Sequence, residues 1–284
     1  MDLGLYSEIG ISRVLRKHKI LLKKSLGQNL LLDLDSCKKI ASIVPLENET
    51  VVEIGPGVGN LTQAILQNKP KHLIAIEKDT SLKSILDELQ SKNLALKVEY
   101  TDALRAPLSL FTKTPVHLLG NLPYNVSTQL IFKWIEEISL IKSLTLTLQS
   151  EVSDRICASP GTKDYGRLGI LCQLFFHCSE VLKLKPELFL PVPSVNSTTV
   201  HMVPKIQTLD KEVIQNIKTI TSVAFSQRRK MLRQSLKTIF QFPESACTAA
   251  KIASTIRAEN VTVEQYVQLA QHLIALNSAH YNLS

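Results

Sequence analysis

The chain has 284 residues, of which 44% are hydrophobic and 20% are charged. This length suits one large α/β domain with a smaller appendage, and the composition excludes a chain dominated by disorder. The formal net charge of +8 suggests a polyanionic partner, although solubility alone is an alternative reason for a moderate excess of lysine and arginine.

Cysteines, histidines and apolar runs exclude several kinds of site. The five cysteines form no C-x-x-C pair and the seven histidines are scattered, so we expect neither a disulfide framework nor a metal. The apolar runs are shorter than a membrane span, and the N-terminus does not resemble a signal peptide. We therefore expect a cytoplasmic protein that does not bind a membrane and keeps its thiols reduced.

The first 24 residues form a basic lead-in, in which lysine and arginine are frequent between Arg13 and Lys24. We expect this segment to contact phosphate groups, and a solvated tail is the alternative.

A glycine-rich turn follows the first predicted strand, at residues 50–54, and leads into a predicted helix. Glycine lets the backbone approach a ligand closely, and the free amides of a first helical turn attract a carboxylate or a phosphate. Gly55 and Gly57 are therefore candidate binding residues. The third glycine follows the second after one residue, with Asn60 next, and this spacing disfavours a nicotinamide dinucleotide.

Three further predicted strands lead to polar side chains at Glu77, Asp102 and Asn121. The carboxyl ends of parallel strands share one edge of a sheet, where open α/β folds bind ligands. Glu77 suits a pair of ribose hydroxyls, and Asp102 suits an adenine amine. A solvated Glu77 and an ordinary turn at Asn121 are the alternatives.

The stretch from Asn121 to Tyr124 combines an amide, a rigid proline and an aromatic face. Such a combination suits a planar base with an exocyclic amine. Farther along, residues 158–167 form a polar loop that could act as a lid, and two prolines make the segment after Phe189 a rigid loop.

The apolar period changes from 2 to 3.6 near residue 205, which predicts a small helical domain over residues 205–284. One helix is expected over residues 224–240, with Arg229, Arg233 and Lys237 on one face. The candidate RNA-binding cluster is the basic set of this segment: Arg228, Arg229, Lys230, Arg233 and Lys237.

Nine motifs follow one another along the chain: SLGQNLLLD, VVEIGPGVGNLT, IEKD, TDAL, GNLPYNVST, QSEVSDRI, PGTKDYGRLG, FLPVPSVNST and AFSQRRKMLRQSL. This ordered set resembles the small-subunit ribosomal RNA adenine N6,N6-dimethyltransferases, the KsgA-type enzymes. The resemblance implies an α/β fold: a Rossmann-like class I methyltransferase sheet over residues 25–204 and an all-helical RNA-binding domain over residues 205–284. It also implies S-adenosyl-L-methionine as cofactor and two adjacent adenosines near the 3′ end of 16S-type RNA as substrate.

The resemblance also assigns site residues. Its cofactor positions, with Gly57 added from the glycine turn, are Asn29, Leu31, Gly55, Gly57, Glu77, Asp102 and Asn121. In the catalytic set, the Asn121 side chain and the Leu122 carbonyl would accept hydrogen bonds from the adenine amine, with Tyr124 on one face of the base and Phe189 on the other. The chain has Ser150 and Ser194 where the family usually has lysine, which bears on how RNA is held.

We therefore expect a monomer that acts on small-subunit rRNA or on a pre-small ribosomal subunit, with a role in its assembly. Three alternatives remain. One is an adenine methylase with a different substrate, either DNA or, as in the erythromycin-resistance type of enzyme, large-subunit RNA. Another is a non-catalytic ribosome-assembly binder. The third, a nicotinamide oxidoreductase, is disfavoured by Asn60.

Overall fold

The computed structural model describes residues 14–18, 20, 28–206 and 209–281, with side chains to residue 278. Most of the predicted basic lead-in lies outside the described residues. The chain divides into two compact units. The first runs to Ser153 and includes Cys178–Pro204, and the second consists of Asp154–His177 and the chain from Lys205.

Strands of the first unit form a two-stranded ribbon and a seven-stranded sheet. The ribbon pairs β1 (Leu30–Leu31) with β8 (Phe189–Leu190) in antiparallel fashion. The strands of the sheet are β2 (Thr50–Ile54), β3 (His72–Glu77), β4 (Leu96–Tyr100), β5 (Val116–Asn121), β6 (Ile141–Gln149), β7 (Phe176–Leu184) and β9 (Ser197–Pro204). Their spatial order is β4-β3-β2-β5-β6-β9-β7.

The parallel part of the sheet contains a topological switch point. Strand β2 pairs in parallel with β3 on one side and with β5 on the other. The chain therefore goes out through β3 and β4 and returns to the opposite side of β2, leaving a crevice at the carboxyl ends of β2 and β5. Strand β6 is parallel to β5, whereas β9 runs antiparallel to β6.

Helices cover this sheet, as burial of nearly the whole of β2 requires. They are α1 (Leu34–Ala41), α2 (Asn60–Gln67), α3 (Lys83–Ser91) and α4 (Ser127–Glu136). A fifth helix, α5 (Ser150–Cys157), begins in the first unit and continues into the second after Ser153. A buried cluster joins strand residues such as Val51 and Leu119 to helix residues such as Ile40 and Ile65. The strand ends are thereby held by a packed core, which fixes the polar side chains that follow them.

The second unit is helical. Its helices are α6 (Arg167–Phe175), α7 (Lys211–Ser226), α8 (Leu232–Ser235), α9 (Pro243–Ala249) and α10 (Val263–Tyr281). A capping box begins α10: the backbone NH of Thr262 donates to Gln265 Oε1 at 3.0 Å, and the backbone NH of Gln265 donates to Thr262 Oγ1 at 3.2 Å. These elements confirm the predicted α/β class with a C-terminal helical region.

Two boundaries differ from the sequence prediction. Residues 154–177 group with the helices of the second unit, because the apolar helix α6 packs against α7 and α10. The predicted single helix over residues 224–240 is wrong. Helix α7 ends at Ser226, and Met231 is extended and forms a β-bridge with Arg257, so the next helix starts only at Leu232.

Candidate active site

A cavity opens in the first unit at the carboxyl edge of the parallel strands, at the switch point. Its lining comes from the ends of β2, β3 and β5, from the turns after β2 and β4, from residues 28–31, which include β1, and from the starts of α2 and α4. The lining includes every predicted cofactor residue: Asn29, Leu31, Gly55, Gly57, Glu77, Asp102 and Asn121. The structure thus brings together residues that are far apart in sequence, and their binding of a cofactor stays a prediction.

The glycine turn forms one wall of the cavity. Gly57 has a φ of +58°, in the left-handed region, and a Cβ added there would lie 2.7 Å from Leu30 Cδ2. The N-cap of α2 is Gly59, which has no side chain to cap the first-turn amides. Asn60 instead uses its Nδ2 to donate to the Leu31 carbonyl at 2.8 Å, which ties the helix start to β1.

Glu77 ends β3 and is buried, so the alternative of a solvated carboxylate is wrong. Its Oε1 accepts from the Asp79 backbone NH at 2.7 Å, and its Oε2 accepts from the Gly57 backbone NH at 3.3 Å. Burial raises the pKa of Glu77, and these two amides offset part of that rise. A carboxylate has about four lone-pair positions, so acceptor capacity remains for ligand hydroxyls.

Asp102 follows β4 and carries two partners. Its Oδ1 accepts from the Leu104 backbone NH at 3.0 Å, and its Oδ2 lies 2.9 Å from Lys78 Nζ. Partial burial acts to raise the pKa of Asp102, but the Lys78 and Leu104 interactions hold it below its ordinary value. Asp102 is therefore an ionised acceptor at the cavity wall. Lys78 was not predicted as a site residue from the sequence, because a lysine after a strand carries no distinctive signal.

Asn121 ends β5, and its amide orientation is fixed. Its Nδ2 donates to the Asn29 backbone carbonyl at 2.6 Å. A carbonyl can only accept, so the amide nitrogen must face Asn29 and the oxygen is the atom that Asn121 can offer to a ligand. The loop is anchored next to it, since the Leu122 backbone NH donates to the Thr147 carbonyl at 3.1 Å.

The two aromatic residues predicted to stack on the base, Tyr124 and Phe189, differ from each other in burial and in their contacts. Tyr124 is half-buried, and its hydroxyl lies 2.7 Å from Ser197 Oγ. Phe189 is 1% exposed and lies in the core beside Leu31, with which it pairs in the ribbon. Among the described residues that line the cavity, neither aromatic is present. Phe189 therefore supports β1 in this structure, and a stacking role for it stays a prediction.

The basic cluster of the second unit does not form the helical face that its spacing predicts, because the helix is interrupted. Arg228 is engaged internally: its Nε donates to Glu259 Oε2 at 2.7 Å, and an Nη donates to the Lys163 carbonyl. Arg233 lies 3.6 Å from Glu244. The other three members of the cluster are exposed: Arg229, Lys230 and Lys237.

The part of the chain that the structure describes contains neither a candidate membrane span nor a candidate metal site. No helix there is long and apolar enough to cross a membrane. No group of three or more histidine, cysteine, aspartate or glutamate side chains there is arranged to hold a metal ion.

Comparison with known proteins gives consistent matches over most of the chain. The family model described as "Ribosomal RNA adenine dimethylase" matches residues 20–275. The ribosomal RNA small subunit methyltransferase A of Agrobacterium fabrum is 41% identical over 267 residues, which cover 92% of this chain and 96% of that protein. The protein of the same name from Wolbachia sp. subsp. Drosophila simulans is 38% identical, with 92% and 97% covered.

Two solved structures share the fold. A dimethyladenosine transferase from Plasmodium falciparum superposes with a TM-score of 0.73 and 25% identity, covering 87% of this chain and 98% of that one. The 23S rRNA methyltransferase ErmE superposes with a TM-score of 0.69 and 24% identity, covering 86% and 99%. At that identity, the second likeness concerns the fold alone.

Proposed function

We propose, from the premise that this chain belongs to the ribosomal RNA adenine dimethylase family, that it dimethylates the N6 amines of two adjacent adenosines near the 3′ end of small-subunit rRNA. The observation that carries the proposal is that the Glu77 and Asp102 carboxylates line the same cavity as the Asn121 amide. Such a cavity offers one set of acceptors for a nucleoside cofactor and another for a base amine.

S-adenosylmethionine fits the residues present. The buried carboxylate of Glu77 suits two ribose hydroxyls, and the ionised Asp102 suits the adenine amine. Gly57, whose φ of +58° lies in the left-handed region that favours glycine, lets the backbone lie against the ligand. When bound, the cofactor supplies an electrophilic methyl group on a positively charged sulfur. The residues Asn29, Leu31, Gly55 and Asn121 complete the proposed cofactor set.

Asn121 and Leu122 are the proposed contacts of the target amine. An adenine amine is a poor nucleophile because its lone pair is delocalised into the ring. Two acceptors, the Asn121 side-chain oxygen and the Leu122 carbonyl, would stabilise the pyramidal form in which the lone pair is available. The base must leave its stack to reach them, and Tyr124 offers it an aromatic face. Hydrogen-bond geometry and alignment then supply the catalysis.

A general base is not needed in this scheme. The ionisable side chains among the described residues that line the cavity are Glu77, Lys78 and Asp102. Glu77 and Asp102 are assigned to the cofactor, and Lys78 pairs with Asp102. The amine therefore loses its proton to water after the methyl group has moved.

Small-subunit RNA is preferred to large-subunit RNA as the substrate. The relatives at 38% and 41% identity, which this chain matches over 92% of its length, carry a small-subunit name. A non-catalytic assembly binder is disfavoured because Glu77, Asn121 and Tyr124 are all present. We further propose a cytoplasmic monomer in which the exposed residues Arg229, Lys230 and Lys237, in the C-terminal helical region, contact RNA phosphates.

The test is to incubate undermethylated small ribosomal subunits with labelled S-adenosylmethionine, digest the RNA and identify labelled nucleosides by mass spectrometry. N6,N6-dimethyladenosine in a 3′-terminal fragment is the expected product. Large subunits and double-stranded DNA serve as competing substrates, and the Asn121→Ala variant is the catalytic control. Label in large-subunit RNA or DNA alone would assign a different substrate, and no label with any of them would refute the activity.

A further inference from the structure

The turn that follows β4 brings Asp102 to the cavity, and its backbone is a single helical turn. The carbonyl of Asp102 accepts from the backbone NH groups of Arg105 at 2.9 Å and of Ala106 at 3.0 Å. The carboxylate of Asp102 accepts from Leu104 at the start of the same turn. The direction of the Asp102 side chain therefore depends on how this turn is held.

Lys133, on helix α4, holds the carbonyl side of the turn. Its Nζ donates to the Ala103 carbonyl at 2.6 Å and also to the Ala106 carbonyl. Beyond the end of the same helix, Glu137 Oε1 accepts from the Leu108 backbone NH at 2.8 Å. Two side chains four residues apart thus fix the segment between Ala103 and Leu108 from outside the cavity.

We propose that Lys133 is a positioning residue that sets the Asp102 carboxylate against the adenine of the cofactor, an inference that rests on the proposed function. Lys133 is not among the described residues that line the cavity, so it acts through the turn and not by contact with the ligand. Hydrogen bonds from an ammonium group to carbonyls are stronger than neutral ones. Burial lowers the pKa of Lys133, whereas the charges of Glu137 and Asp102 favour its protonated form.

The same helix follows directly on the loop from Asn121 to Tyr124. Helix α4 therefore connects the two halves of the cavity: its N-terminal end continues the loop proposed to bind the base, and Lys133 holds the turn proposed to bind adenine. Substitution of Lys133 should then disturb recognition of the adenine amine specifically. Contacts of Glu77 with the ribose should be unaffected, because Glu77 is held by Gly57 and Asp79 and not by this turn.

The test compares two ligands by calorimetry: S-adenosylhomocysteine, and S-inosylhomocysteine, in which an oxygen replaces the adenine amine. For Lys133→Met, we expect affinity for the first ligand to fall about tenfold, the scale of one charge-assisted hydrogen bond, and affinity for the second to change little. Lys133→Arg, which keeps the charge and donors, should restore part of the loss. Lys142→Met is the matched control, because Lys142 pairs with Glu49 at 2.6 Å and does not line the cavity.

The measurements distinguish failure of the positioning role of Lys133 from failure of the proposed function. Unchanged discrimination between the two ligands in Lys133→Met, or an equal loss for both, would overturn the positioning role. Failure of the unsubstituted protein to bind S-adenosylhomocysteine would overturn the proposed function itself. If Lys133→Met does not fold, Lys133→Gln, which keeps a donor, is judged by the same criteria.

Discussion

Glu53 is a buried acid in the middle of the sheet, and replacing it by glutamine should change how stability depends on pH. The side chain is 1% exposed, on β2, and neither carboxyl oxygen has a well-formed hydrogen bond to a described residue. Burial raises the pKa of Glu53 to about 8, the nearby Thr62 hydroxyl offsets only part of this, and the charge of Glu77 adds to it. In the folded protein, Glu53 is therefore a neutral acid at neutral pH.

The sign of the effect follows from the difference between the folded and unfolded states. An unfolded Glu53 ionises near its ordinary pKa of 4.5, whereas the folded group keeps its proton up to a pH of about 8. The folded state thus binds more protons in this window, so stability falls as pH rises through it. Between roughly pH 5 and 7.5 the loss from this one group is about 3 kcal/mol, at about 1.4 kcal/mol for each pKa unit.

Glu53→Gln has nearly the same shape and does not titrate. The measurement is the free energy of unfolding in urea at several pH values, for this variant and the unsubstituted protein. We expect the variant to gain about 3 kcal/mol relative to the unsubstituted protein between roughly pH 5 and 7.5. Comparing how the free energy of unfolding changes with pH, and not its value at one pH, removes any constant difference in stability between an amide and an acid at this site. Parallel pH profiles would refute the reasoning.

Glu49→Gln is the matched control for this experiment. Its hydrogen bond to Lys142 lowers the pKa of Glu49, so the sign of its contribution is opposite to that of Glu53. The stability that Glu49 contributes is present above its unfolded pKa and is lost as pH falls through its folded pKa. The glutamine variant should lose that contribution.

Three further predictions concern the site and the RNA. Glu77→Ala should weaken S-adenosylmethionine binding by about 1.5–3 kcal/mol in calorimetry, because a charged pair of hydrogen bonds to the ribose is lost, and unchanged affinity would remove Glu77 from the site. Neutralising Arg229 and Lys230 together should reduce the salt slope of RNA binding by about 2 and leave cofactor affinity unchanged, whereas an unaltered slope would mean that these side chains are merely solvated. Single-turnover rates at saturating RNA and cofactor should be flat between roughly pH 6 and 9, and Asn121→Ala should lose most of the rate with a smaller loss of cofactor affinity. A unit-slope rise of the rate with pH would reveal a titrating base.

The sequence predicted the sheet and the cavity because both depend on local patterns. Apolar runs predicted the parallel strands, and the residue after each run was expected at the shared edge, where the structure places Glu77, Asp102 and Asn121. The capping box of Thr262 and Gln265 is likewise a local sequence signal for the start of a helix.

The features that the sequence did not indicate come from contacts between distant segments. The break after Ser226 contains no proline or glycine, and it depends on the pairing of Met231 with Arg257, which local propensity cannot indicate. The burial of Phe189 likewise depends on its pairing with Leu31, from the other end of the first unit. The sequence does not distinguish Arg228 from the other basic residues of its cluster, because its partner Glu259 is 31 residues away along the chain.

The hydrogen bond from Asn121 Nδ2 to the Asn29 carbonyl has a consequence for a reaction that must occur twice on one nitrogen. A free adenine amine has two hydrogens for the two proposed acceptors, and a monomethylated amine has one. The amide of Asn121 cannot rotate to become a donor, because its oxygen would then face the Asn29 carbonyl. The Asn121 side chain therefore cannot change its hydrogen bonding to suit the monomethylated product. The methylamino group has to rotate about the C6–N6 bond of the adenine. One of the two acceptors is then left without a hydrogen-bond donor, at a cost of about 1–3 kcal/mol. The monomethylated adenosine should accordingly be held less tightly than the substrate, and some of it should leave the enzyme before the second transfer.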